Sequence, residues 1–191
     1  GNEVEHIPAY LCYGMENLKE VTIGNSVTSI GYNAFSGCSG LTKVNYLGTV
    51  DKWVEIDFED ADSNPTYYAK DLYINNELLT DVKITTADSI KNFAFYNCQS
   101  IKSVEIGESV TSIGLSAFNG CSGLTEILVS SNNDKFSSEN GVLYNKDKTT
   151  LIKYPAGKKD TSFTIPNSVT SIGSDAFNGC WRLTSVTIPN S

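Results

Sequence analysis

The segment from Leu18 to Gly40 returns almost unchanged as Ile101 to Gly123, with 16 of 23 aligned positions identical. Copies of this size cannot each bury their own apolar face, so a fixed period of this kind requires that they stack into a solenoid. With the period set at 23, all 191 residues fall into register. Partial units occupy 1–17 and 183–191, full units 18–40, 101–123 and 160–182, and a unit one residue short 79–100. Two long units, 41–78 and 124–159, interrupt the rhythm. A single domain, 1–191, accounts for the chain. Because both ends fall inside a repeat, the expectation is a fragment of a longer protein.

Within unit 18–40 the apolar positions are Leu18, Val21, Ile23, Val27, Ile30, Ala34, Phe35 and Cys38. Val21-Thr22-Ile23 alternates with period two and is β-branched throughout, which predicts a short strand. Gly24-Asn25-Ser26 is turn chemistry, and Val27 to Ile30 predicts a second brief strand. Asn33 to Cys38 is too short for an independent helix and predicts one helical or 3₁₀ turn near a glycine. Stacked coils would lay parallel strands about 4.8 Å apart.

The run L-x-x-V-x-I-P/G-x-S-V-T-S-I-G-x-x-A-F-x-G-C resembles the BspA-type leucine-rich repeat of bacterial surface proteins. The resemblance covers the whole chain, with departures at Asp160, which replaces the leading leucine, and in unit 79–100, which lacks Val-Thr-Ser-Ile-Gly. It implies an α/β repeat solenoid: a right-handed superhelix of short parallel strands and single helical turns, with two longer variant repeats. It also implies an extracellular or cell-surface protein that adheres to host proteins or other cells. It brings no catalytic residues and no cofactor.

Lys and Arg number 14 against 22 Asp and Glu, a net charge of −8. That argues against nucleic acid, which needs clustered cations. No apolar run reaches the length of about 18 residues that membrane insertion needs. Cys38, Cys98, Cys121 and Cys180 share one slot of the repeat, where a thiol serves as a small buried hydrophobe. Cys98 and Cys121 fall in adjacent coils, a separation compatible with a disulfide. There is no C-x-x-C, and the sole histidine, His6, occupies the slot that Ser29 fills, so no zinc site is expected.

A Ser-His-Asp arrangement would have to use His6, in a partial unit. A polysaccharide-cleaving enzyme would need facing carboxylates, for which Glu55 and Asp57 are candidates by composition alone. No enzyme is expected. Asp60, Asp62, Asn64 and Asp71 match four places of a calcium loop, but Pro65 replaces its glycine and Asp71 its bidentate glutamate. A solvated acidic loop is the plainer reading.

Function is expected on the inserted loops or on the strand face. In the first long unit, Trp53 has helical spacing with Val50 and Val54 and is expected to pack inward, whereas Tyr67 and Tyr68 follow Asn64-Pro65 in a loop and are ligand candidates. In the second, Leu143-Tyr144 and Leu151-Ile152 predict a hairpin, with Asn132 to Lys135, Lys146 to Lys148 and Lys158-Lys159 as solvated turns. Lys19, Glu20 and Thr22, with Lys102, Ser103 and Glu105, are expected to line the outward strand face. The partner would be a protein or a glycan. The alternative is a structural spacer that displays another domain away from the cell.

Overall fold

The computed structural model describes residues 3–190. Each regular coil opens on a first strand, turns a corner, adds a two-residue second strand and returns through a run of tight turns. The coils contribute β1 (His6–Ile7), β2 (Glu20–Gly24), β3 (Ser29–Ile30) and β4 (Lys43–Leu47). Next come α1 (Val50–Val54), β5 (Asp57–Phe58), a 3₁₀ turn (Ala61–Ser63) and α2 (Thr66–Ala69). Then follow β6 (Leu72–Ile74), β7 (Glu77–Leu78), β8 (Asp81–Ile84), β9 (Ser89–Ile90), β10 (Ser103–Ile106) and β11 (Ser112–Ile113). The last are β12 (Glu126–Val129), β13 (Phe136–Glu139), β14 (Val142–Asn145), β15 (Thr150–Lys153), β16 (Ser162–Thr164), β17 (Ser171–Ile172) and β18 (Ser185–Thr187).

The segment expected to make one helical turn is a chain of separate turns instead. Ala34 N–H bonds Gly31 O, Ser36 bonds Asn33, and Cys38 bonds Phe35, but Asn33 (φ 54°) and Gly37 (φ 78°) are left-handed. The same left-handed slot recurs at Phe93, Ser116 and Asp175. A true helix would advance along its own axis and leave the plane of the coil. Alternating handedness keeps the chain in its rung, so its N–H groups reach the next coil: Cys12 N bonds Ala34 O, and Phe35 N bonds Asp62 O.

First strands pair in parallel in three sheets, β2-β4-β6 with β7 at its edge, β8-β10-β12, and β16-β18, with a break between the first two after β6. The break arises where Asn75 and Asn76, both left-handed, fold β6 back on β7. Left-handed Asn pairs are the residues a two-residue hairpin turn selects. On the turn side, no rung matches this hairpin. There the coil through 64–70 meets the coil through 93–99 directly: Asn64 Nδ2 bonds Phe93 O, Thr66 Oγ1 bonds Tyr96 O, and Asn97 Nδ2 bonds Tyr67 O.

The predicted hairpin is present, with Tyr144 opposite Leu151, and β13 extends it to three antiparallel strands. β15 then pairs in parallel with β17. Asn133, expected in a solvated tip, is buried: its Nδ2 bonds Gly107 O and Val110 O, and its Oδ1 accepts Lys135 and Phe136 N–H. The core is in two parts. One runs from Ile7 to Leu143, with Trp53 fully buried in it as expected; the other gathers Val142, Tyr144, Leu151, Tyr154, Ile165, Val169 and Ala176. The five cysteines are free.

Candidate functional site

Alternation along β8, β10 and β12 buries Val82, Ile84, Val104, Ile106 and Ile127 and turns their neighbours outward. The register places Lys83, Glu105 and Leu128 side by side on the outer face. Lys83 Nζ lies 3.3 Å from Glu105 Oε1, and Leu128 remains 41% exposed. In the next row Ser103 Oγ donates to Asp81 Oδ1 at 2.6 Å. This bond and one from Thr80 hold the Asp81 carboxyl below the usual range. At the carboxyl ends of the three strands opens a groove of about 500 Å³, lined among others by Lys83, Glu105, Glu108, Leu128 and Ser130.

The first sheet carries a different surface. Lys43 Nζ sits 2.7 Å from Glu20 Oε1 and 5.3 Å from the centre of the Tyr73 ring. A cation between a carboxylate and an aromatic face is held at two points. Glu20 and Glu105 are on strands as expected, but on separate sheets. Lys19 and Lys102 each stand one residue before their strand. Their ammonium groups lie over Gly40 and Gly123 at the coil corners, because those glycines leave the space a side chain would fill.

Tyr67 and Tyr68 are in α2, not in a loop, and both are half-buried. Gly37 N–H donates to the Tyr68 hydroxyl at 2.8 Å, and that hydroxyl donates to Asp62 Oδ1 at 3.1 Å. Burial, aided by Asp62, pushes the Tyr68 phenol up. The Tyr67 ring stacks on Tyr96 at 5.7 Å with an interplanar angle of 1°. Sequence missed this because Tyr96 belongs to a coil 29 residues further on, a separation set by the extra hairpin.

The acidic stretch is solvated at Glu55, Asp57 and Glu59 but built into the coil from Asp60 onward. Asp60 caps the 3₁₀ turn by accepting Ser63 N–H, Asp62 accepts Tyr68, and Asn64 is buried with both ends of its amide bonded. Asp71 is half-buried beyond α2. Among the described residues no group of three or more His, Cys, Asp or Glu is placed to hold a metal ion. His6 Nδ1 lies 2.8 Å from Ser29 Oγ, its partner in register. Glu55 ends α1 and accepts the Asp88 N–H, while Asp57 is exposed on β5. No helix among the described residues is long and apolar enough to cross a membrane.

What the sequence reading lacked was the pairing of charges. Glu20 with Lys43, and Lys83 with Glu105, are each about one period apart, so reading one repeat ahead finds both.

A model of the BspA type leucine rich repeat region matches in six copies over residues 5–68, 66–159 and 156–191. The chain belongs to that family. A leucine-rich repeat protein from Eubacterium ventriosum is 30% identical over 90% of this chain, with a TM-score of 0.61. The chain spans about half of that protein, 48% of its length. A leucine rich cell surface protein from Faecalibacterium prausnitzii is 24% identical over 97% of this chain and 65% of its own, with a TM-score of 0.47. The pneumococcal vaccine antigen PcpA is 23% identical over 98% of this chain and 43% of its own, at 0.44. No curated protein matches.

Proposed function

We propose that this BspA-type leucine-rich repeat chain is a non-catalytic binding module that works outside the cell or at its surface. It recognises a protein or glycan through the outer face of β8, β10 and β12. The observation that carries the reading is the row Lys83, Glu105, Leu128: both charges and an apolar side chain beside an open groove, on strands whose inner faces are buried. A rigid platform lowers the ordering cost of association. The mixed polarity suits a modest, wet interface. Tyr67 against Tyr96, with Tyr68 beside them, is the second region offered to a partner; Lys19, Glu20 and Lys102 flank the strand faces. The net charge of −8 makes nucleic acid a poor partner. The family resemblance supports a surface location.

Biolayer interferometry of the immobilised chain against extracellular-matrix proteins and polysaccharides tests this. The expected result is saturable binding, weakened roughly tenfold or more (about 1.4 kcal/mol per factor of ten) by Leu128→Asp in a folded variant. A silent panel favours the structural spacer instead. That alternative is supported by the ladder of inter-coil bonds, Thr28 to Glu5, Asp57 to Thr28 and Thr111 to Asp88, which suits a rigid rod.

A further inference from the structure

The boundary between the two cores holds a polar group that the binding face does not use. Lys153, at the end of β15, is 5% exposed, and Asn119, in the coil before β12, is 8% exposed. Lys153 Nζ donates to Asn119 Oδ1 at 2.8 Å and to the main-chain oxygen of Asp175 at 2.8 Å. On its other side, Asn119 Nδ2 donates to Asp175 Oδ2 at 2.9 Å. The two contacts together fix which end of the amide faces the lysine. Asp175 stands in the left-handed slot of its turn, φ 59°, and is exposed, so its carboxylate closes the group from the solvent side.

An amine against one end of a carboxamide, with a carboxylate against the other, is the constellation for amide exchange. We propose that Lys153 and Asn119 form an intramolecular isopeptide bond, with Asp175 as the catalytic carboxylate. Neutral Lys153 Nζ adds to Cγ of Asn119. The Asp175 carboxylate takes the proton that nitrogen releases and delivers it to Nδ2. The Cγ–Nδ2 bond then breaks and ammonia leaves, so one amide replaces another and no oxidant or reductant is needed. An amine hydrogen-bonded to the amide it attacks gains the large effective concentration of an intramolecular reaction.

The surroundings suit each part. Burial lowers the pKa of Lys153, against the opposing pull of Cys180, Cys121 and Asp175, which moves the amine towards its nucleophilic form. Burial also pushes the competing Cys121 thiol up to about 12. A cavity of about 190 Å³, lined in part by Asn119, Lys153 and Gly173, adjoins the site and gives ammonia a way out. The bond would close a loop between residues 34 apart and tie a coil of the long core to the strand that leads into the second core.

The test is mass spectrometry of the purified chain after incubation at mildly alkaline pH, followed by tryptic peptide mapping. The expected result is a chain lighter by one ammonia, in which the peptides carrying Asn119 and Lys153 appear as one branched species and cleavage after Lys153 is lost. Asn119 precedes Gly120, a pair that can also shed ammonia by attack of its own backbone, so the mass alone does not decide. A deficit with Lys153 still free, or a full-mass chain, overturns the proposal. Lys153→Arg keeps the charge and cannot react, and should give no branched peptide. Asp175→Asn retains both reacting side chains and should slow cross-linking at least tenfold; an unchanged rate in a folded variant overturns catalysis by Asp175.

Discussion

Leu143 and Tyr144 are adjacent in β14 and both fully buried, yet they face different cores: Leu143 closes the long core that begins at Ile7, and Tyr144 anchors the smaller one with Leu151, Tyr154 and Ile165. The alternation of a strand makes this possible, since successive side chains point to opposite faces. β14 is therefore a partition as well as a rung.

Stability should divide at that partition. Leu143→Ala is expected to cost about 2–5 kcal/mol and Tyr144→Ala about 3–5 kcal/mol. In a solenoid the loss stays with nearest neighbours. Hydrogen exchange should show Tyr144→Ala releasing β16 to β18 first while β2 to β10 stay protected; uniform loss of protection would count against two cores.

Asp51, in α1, receives N–H bonds from Thr85, Thr86 and Ala87, all at 2.8–2.9 Å. Burial alone would raise its pKa, but these bonds and the Thr85 hydroxyl outweigh it and hold the carboxyl below its ordinary value. A depressed carboxylate stabilises fully above the unfolded pKa and loses that contribution as pH falls through the folded one. Asp51→Asn should thus cost about 1 kcal/mol of stability near neutral pH after allowance for its exposed side, seen as a lower melting temperature. The gap between variant and parent should close in acid, below about pH 4.

Glycines at two different slots of the repeat should respond in opposite ways. A Cβ on Gly123 would lie 2.2 Å from Gln99 O, backbone of the neighbouring coil, while one on Gly24 meets nothing within 4 Å. Chemical denaturation should show Gly123→Ala losing about 1–3 kcal/mol through overpacking, and Gly24→Ala neutral or stabilising by a few tenths.

Asn64 and Asn133 act as polar pins between coils, each buried with both ends of its amide bonded. Replacing either with Ala strands several backbone groups and should cost roughly 2–4 kcal/mol. A loss below about 0.5 kcal/mol, the range of a plain surface change, would mean that water replaces the amide freely.

Much of this was legible because each coil obeys the same local chemistry. Val21-Thr22-Ile23 announced a strand, Trp53 an inward-facing helix and Tyr144 a hairpin, and all are found. The left-handed slot at Asn33 was not, since helical and broken turns share the same short polar composition. Asn64-Pro65 read as the start of a loop because the Asn64 amide bonds a coil 29 residues away, beyond any local pattern. Nor did Asn75-Asn76 signal that the strand face breaks after β6. That break separates Glu20 from Glu105 and leaves the second sheet as the better platform.

The most direct test of the binding face is the double substitution Lys83→Glu with Glu105→Lys. It keeps the ion pair and the fold while reversing the charge layout beside Leu128. Titrated with a partner identified in the panel, the swapped chain should bind at least roughly tenfold more weakly, about 1.4 kcal/mol, with an unchanged melting temperature. Unchanged affinity in the swapped chain would contradict recognition through β8, β10 and β12.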